Sequence, residues 1–213
     1  MTSIQHPLRL AVGSHVAGSG QGCAMNVVSW ESGDTTITDM PACADAVLAR
    51  IVQRVNDSLC THRDGDLLCP ACSVLVLDLA HRTVGTGTVA LTDTERRRVW
   101  VRIAVDQARQ VAHLNPDPRV MAAIEAADGW CDGTVTAGRC RVANVAAVAA
   151  AAYANAAAHA TYDAYAAAAD AADRLKLAHR AIDVFEQWTG FKAGTPDPVI
   201  VTRAVEQMAQ VTR

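Results

Sequence analysis

The chain has 213 residues, 51% of them apolar and 19% charged, with a formal net charge of -3 and seven cysteines. That length supports one well-buried core, or a core with an appendage, and the slightly acidic balance excludes bulk electrostatic attraction to nucleic acid or to an anionic membrane. An odd cysteine count, with no apolar block of signal-peptide length between Met1 and Cys23, argues for reduced thiols in the cytoplasm and against a disulfide framework.

Leu8 to Gly22 is rich in Gly and Ser and reads as an irregular loop. Its spacing Gly13-x4-Gly18 is only the first half of a phosphate-binding loop, because no Lys-Ser/Thr pair follows. Cys23 to Trp30 predicts a short helix stopped by Gly33. A second helix runs from Ala44 to Leu59, where Val47, Leu48, Ile51, Val52, Val55 and Leu59 recur at three-to-four spacing. Ser73 to His81 predicts a third, with Ser73 as its N-cap, ended by Gly85 and Gly87. Thr92-Asp-Thr-Glu95 has the capping-box pattern and opens a helix to about Leu114, with Val99, Trp100, Ile103, Ala104, Ala108 and Val111 inward.

Pro116-Asp117-Pro118 and Pro196-Asp197-Pro198 each place Asp as N-cap and Pro at the first helical position. They predict helices over Pro118–Asp128, stopped at Gly129, and over Pro198–Val211. Between them lies the stretch that organises the chain: alanine fills 19 of the 30 positions from Ala143 to Ala172, and neither Gly nor Pro occurs between Arg141 and Thr189. Alanine is the best helix former, so this predicts a long helix whose second half gains an apolar face through Leu175, Ile182 and Phe185 and stops at Gly190. The fold class expected is all-α, an irregular bundle of about seven or eight helices with one long Ala-rich helix. Residues 1–128 form an N-terminal helical domain, 129–140 a connector, and 141–213 the long helix plus a C-terminal helix packed on the same core.

Cys60, His62, Cys69, Cys72 and His81 fall within 22 residues. Cys-x-x-Cys at the start of a helix lets two thiolates reach one ion, and thiolate with imidazole suits tetrahedral zinc. The ligand set expected is Cys60, Cys69, Cys72 and His81, set against buried free cysteines as the plain alternative. No other cofactor is called for. A redox reading of Cys69-Pro-Ala-Cys72 wants a preceding strand, and a zinc deaminase wants Pro-Cys-x-x-Cys after His-x-Glu; the sequence offers neither. Cys23 is the one candidate catalytic nucleophile, since free N–H groups at a helix start favour a thiolate. No base can be assigned to it among His15, His62 and His81. Arg98, Arg102 and Arg109 share a helix face that could pair phosphates, although a solvated face is the commoner use of such a run.

Gly22-Cys-Ala-Met-Asn-Val-Val-Ser-Trp30-x-x-Gly33, Pro41-x-Cys43-Ala, Val52-x3-Asn56-Asp57 and the later Arg180-Ala-Ile-Asp-x-Phe185 resemble a helical protein group of actinobacteria and their phages. The resemblance spans Cys23 to about Thr86 and Ala143 to about Glu186. It carries no activity and implies origin and helical architecture only. The chain therefore reads as a non-catalytic intracellular protein, phage-encoded, acting in the host cytoplasm through a protein partner or as a homo-oligomer, without nucleic acid or membrane. The alternative is a thiol- or zinc-dependent enzyme using Cys23 or the Cys60/Cys69/Cys72/His81 cluster.

Overall fold

A computed structural model of the chain describes residues 9–13, 21–114, 117–145 and 171–193. The helix expected over Pro198–Val211 and the centre of the Ala-rich stretch, 146–170, lie outside the described residues, as does His15. What is described is all-α: α1 (Ala24–Glu31), α2 (Ala46–Ser58), α3 (Pro70–His81), a 3-10 turn (Thr86–Thr88), α4 (Asp93–Val111), α5 (Pro118–Cys131), α6 (137–145) and α7 (Ala171–Thr189). The only β-type pairings among these residues are the isolated bridges Ala11–Leu67 and Asp64–Leu67.

The described residues form two compact units. One runs to Val89 and takes up Ala171–Ile182 and the stretch from Phe191; the other holds the residues from Ala90 together with Asp183–Gly190. The turn at 132–136, within the expected connector, lies inside the second unit.

In the first unit α1, α2 and α3 pack pairwise around Met25, Val28, Leu48, Val52, Val76 and Leu79, all fully buried. Side chains of this size each contribute about 2 kcal/mol when removed from water. The α2 pattern places Leu48, Val52, Val55 and Leu59 inside as expected, and adds Ala49 and the polar Asn56. Asn56 repays its burial with hydrogen bonds: its Nδ2 donates to the Ala11 carbonyl at 2.8 Å, and its Oδ1 accepts the Ala24 N–H at 3.3 Å. One amide thereby ties the N-terminal segment to α1 and α2.

That segment, residues 9–13, is a strap laid along the 64–68 loop. Leu68 N–H bonds the Leu10 carbonyl at 2.8 Å, Val12 N–H the Asp66 carbonyl at 2.9 Å, and Leu10 N–H the Ser73 hydroxyl at 2.9 Å. Ser73 is thus not the cap of α3. Cys69 is the N-cap and Pro70 the first helical residue, so the helix starts four residues earlier than the hydroxyl suggested. A proline at that position loses no hydrogen bond, and its fixed φ suits a helix start. Beyond α3, Gly87 is required for space, because a Cβ there would stand 2.2 Å from the Ala42 carbonyl oxygen.

In the second unit α4 and α5 form a hairpin. Thr92 and Glu95 close the capping box, with Thr92 N–H on the Glu95 carboxylate at 2.8 Å and Glu95 N–H on the Thr92 hydroxyl at 3.2 Å. Val99, Ile103 and Val105 are buried, whereas Ala104 faces solvent and Arg102 takes an inward place. α5 does not end at Gly129 but runs to Cys131. Gly129 is needed for close approach instead: its carbonyl accepts the N–H groups of Thr134 and Val135, and a Cβ would meet Val135 at 2.6 Å. The chain turns at Gly133, whose φ of +75° favours glycine.

Candidate metal centre

The thiols of Cys60, Cys69 and Cys72 converge, with all three sulfur atoms within 4.8 Å of one another. Cys60 follows the end of α2, Cys69 caps α3 and Cys72 lies in its first turn. Their mutual placement is fixed by backbone hydrogen bonds: Cys69 N–H donates to the Cys60 sulfur at 3.3 Å, and Cys72 N–H to the Cys69 sulfur at 3.5 Å. The strap stiffens the intervening loop, with Arg9 Nε on the Leu68 carbonyl at 3.0 Å and Arg9 paired to Asp64 at 3.1 Å. Ser73 joins the two, accepting from Leu10 and donating to the Cys69 carbonyl at 3.1 Å.

The environment separates the thiols. The Cys72 backbone N–H, then the Cys72 thiol, stabilise charge on Cys69 and hold it below the usual thiol range. Burial first, and then the thiol's own hydrogen bond to Cys69, push Cys72 up to about 12. The set is therefore a more easily ionised thiol at a helix start with a strongly disfavoured one against it, and a cation among the sulfurs would stabilise their ionised forms. The donors fit such an ion. Tetrahedral zinc–sulfur bonds of about 2.3 Å place sulfurs about 3.8 Å apart, a spacing compatible with three sulfurs within 4.8 Å of one another. This group of three cysteines could hold a metal.

His81 does not join them. It ends α3, nine residues beyond Cys72 and so about 13 Å along the helix axis. Its Nε2 lies 2.7 Å from the Glu31 carboxylate, and both side chains are buried. His81 is a structural partner for the last residue of α1. The C-terminal end of α3, where the sequence looked for a fourth ligand, belongs to the core.

Cys23 is buried, and burial raises its thiol despite the Asn26 and Met25 N–H groups that oppose the shift. The helix-start effect expected to activate it is outweighed by desolvation. His81 stands by Glu31, at the opposite end of α1, about 12 Å away along that helix. The backbone of Cys23 is held by Asn26 and Val27, and among the described residues none of its hydrogen bonds goes to a histidine.

The arginine face of α4 is also resolved. Arg102 is buried, pairs with Asp128 and Asp132, and its guanidinium lies 4.1 Å from the centre of the Trp188 ring. Arg109 pairs with Asp128 at 2.5 Å, and Arg98 lies 6.0 Å over Trp130. Two of the three charges are spent on α5 carboxylates, and the aromatic partners come from α5 and α7, which the α4 sequence could not announce.

No family model, no curated protein and no solved structure matches the chain. Among the described residues no helix is long and apolar enough to cross a membrane.

Proposed function

We propose that the protein is a non-catalytic helical module that acts by contact with a protein partner or a second copy of itself, and that zinc at Cys60, Cys69 and Cys72 staples its N-terminal unit. The convergence of three sulfurs from two segments carries the zinc part of this reading. A thiolate cluster clamped by a backbone strap suits a structural ion, which contributes directly to folding free energy. The contact role is supported by Val142 and Val145 on α6, 71% and 66% exposed and one turn apart, where the chain leads into its Ala-rich stretch. Small side chains there let another helix backbone approach closely. The resemblance to proteins of actinobacteria and their phages makes a bacterial cytoplasm the setting.

Two measurements on the full chain test the reading. Metal analysis after purification with zinc is expected to give one ion per chain, lost in Cys69→Ser. Light scattering is expected to show self-association, or a complex with a host protein, weakened by Val142→Glu with Val145→Glu while helix content is kept. A strict monomer with no partner and no zinc contradicts the proposal. The rival thiol-enzyme reading predicts rapid alkylation of Cys23; its burial favours a slow reaction.

A further inference from the structure

Three thiols leave a structural zinc site one ligand short, because such sites are closed by four protein donors. Resting on the zinc reading above, we infer that His62 supplies the fourth ligand through Nε2, so that Cys60-x-His62 and Cys69-x2-Cys72 form one closed set on the loop between α2 and α3. Two other candidate donors are committed: His81 to Glu31 at the far end of α3, and Asp64 to Arg9 at 3.1 Å.

His62 stands two residues from Cys60, so its Cα lies within about 7 Å of that ligand's. It is exposed, and turning its ring disturbs no core contact. Its recorded polar partner among the described residues is Thr61, whose hydroxyl lies 3.3 Å from Nδ1. A proton on Nδ1 donated to that hydroxyl leaves the Nε2 lone pair for a metal, the arrangement by which ligating histidines are commonly oriented. The ring is not within 4.8 Å of all three sulfurs, so closure requires rotation about the His62 side chain. The backbone around it is suited to that division of labour. Asp64 and Leu67 bridge to each other, and Leu67 and Leu68 are bound by the strap, which leaves residues 61–63 as the part free to adjust. A neutral imidazole also limits the charge of the filled site to -1, where a fourth thiolate or a carboxylate gives -2.

The test measures zinc affinity by competition with a chromophoric chelator, and the Co2+ spectrum, on the full chain. His62→Ala is expected to weaken zinc at least tenfold and to lower the intensity of the tetrahedral cobalt bands as water replaces the imidazole. His62→Cys is expected to recover the affinity with a stronger sulfur charge-transfer band. Wild-type affinity and an unchanged cobalt spectrum in His62→Ala overturn the assignment while leaving a zinc site on the three cysteines. If the wild-type chain binds neither ion, the zinc reading falls, and this inference with it. Because His62 is exposed, equal thermal stability of the zinc-free wild-type and His62→Ala chains checks that the fold is not what changed.

Discussion

The cysteine corner of the first unit and the arginine cage of the second are both polar clusters pinned by neighbouring helices, yet they leave opposite things unfinished. Around Arg102 the charges are balanced on the spot: Asp128 and Asp132 answer the guanidinium, Arg109 shares Asp128, and Trp188 covers the exposed side. Around Cys69 the thiols are met by backbone N–H groups and by one another, while the Arg9 guanidinium close by is engaged by the Leu67 and Leu68 carbonyls and by Asp64. A cluster whose charges close internally holds the fold together, whereas three converging thiols could hold a metal ion. The difference is in the bookkeeping of donors and acceptors, not in burial.

The largest effect expected breaks the cage. Arg102→Ala removes a buried guanidinium with both its carboxylate pairs and its contact with the Trp188 ring, leaving Asp128 to Arg109 alone, at an expected cost of about 3 kcal/mol. Urea unfolding of the full chain reads this as a lower midpoint with an unchanged slope. His81→Ala applies the same logic to the first unit. It strands the buried Glu31 carboxylate and is expected to lose about 3 kcal/mol, yet zinc binding in the fraction that folds is expected to persist. Loss of zinc from folded His81→Ala would return His81 to the ligand set.

Next in size is the strap. Ser73→Ala removes the hydroxyl that accepts from Leu10 and donates to the Cys69 carbonyl, leaving a buried N–H unpaired at a cost of about 1 to 3 kcal/mol. The predicted signature is a larger loss of melting temperature in the presence of zinc, because a loosened Cys69 weakens the metal and with it the stabilisation that binding to the folded chain supplies. An equal loss with and without zinc would separate the strap from the metal corner.

A binding titration sharpens the contrast from the other side. With Arg102 and Arg109 paired to carboxylates, binding to DNA or RNA is expected to stay undetectable even at low salt, where phosphate contacts are strongest. The smallest effect concerns Asp117, the cap of α5, whose carboxyl the Arg119 guanidinium and N–H hold down at about 2. A folded-state value below the unfolded one means that stability is present above pH 4 and lost as pH falls towards 2. Helix content followed by circular dichroism is expected to decline slightly through that window in wild type, and less in Asp117→Asn.

Much of the fold is legible from local rules. The capping box at Thr92, the Asp117-Pro118 start and the α2 stripe depend on neighbours within four residues, and each appears where its pattern stands. What fails depends on partners beyond that local reach. Ser73 looks like a cap until the strap from Leu10 claims its hydroxyl, and Gly129 looks like a stop until the returning Thr134 and Val135 need its surface. The same holds at the site. Cys60, Cys69 and Cys72 are close in sequence as well as in space, so spacing finds them. His81 shares their sequence window but lies on the wrong end of a helix, opposite a glutamate fifty positions away. Helical rise of 1.5 Å per residue is the signal that argues against it, since nine helical residues cannot fold back on one ion.

On the reading proposed above, zinc belongs at Cys60, Cys69 and Cys72 and at none of the other cysteines. Alkylation of the full chain, mapped residue by residue with and without one equivalent of zinc, tests this most directly. Zinc is expected to protect Cys60, Cys69 and Cys72 together while Cys43 and Cys140 keep their rates. Unchanged labelling of all five in the presence of zinc would contradict it.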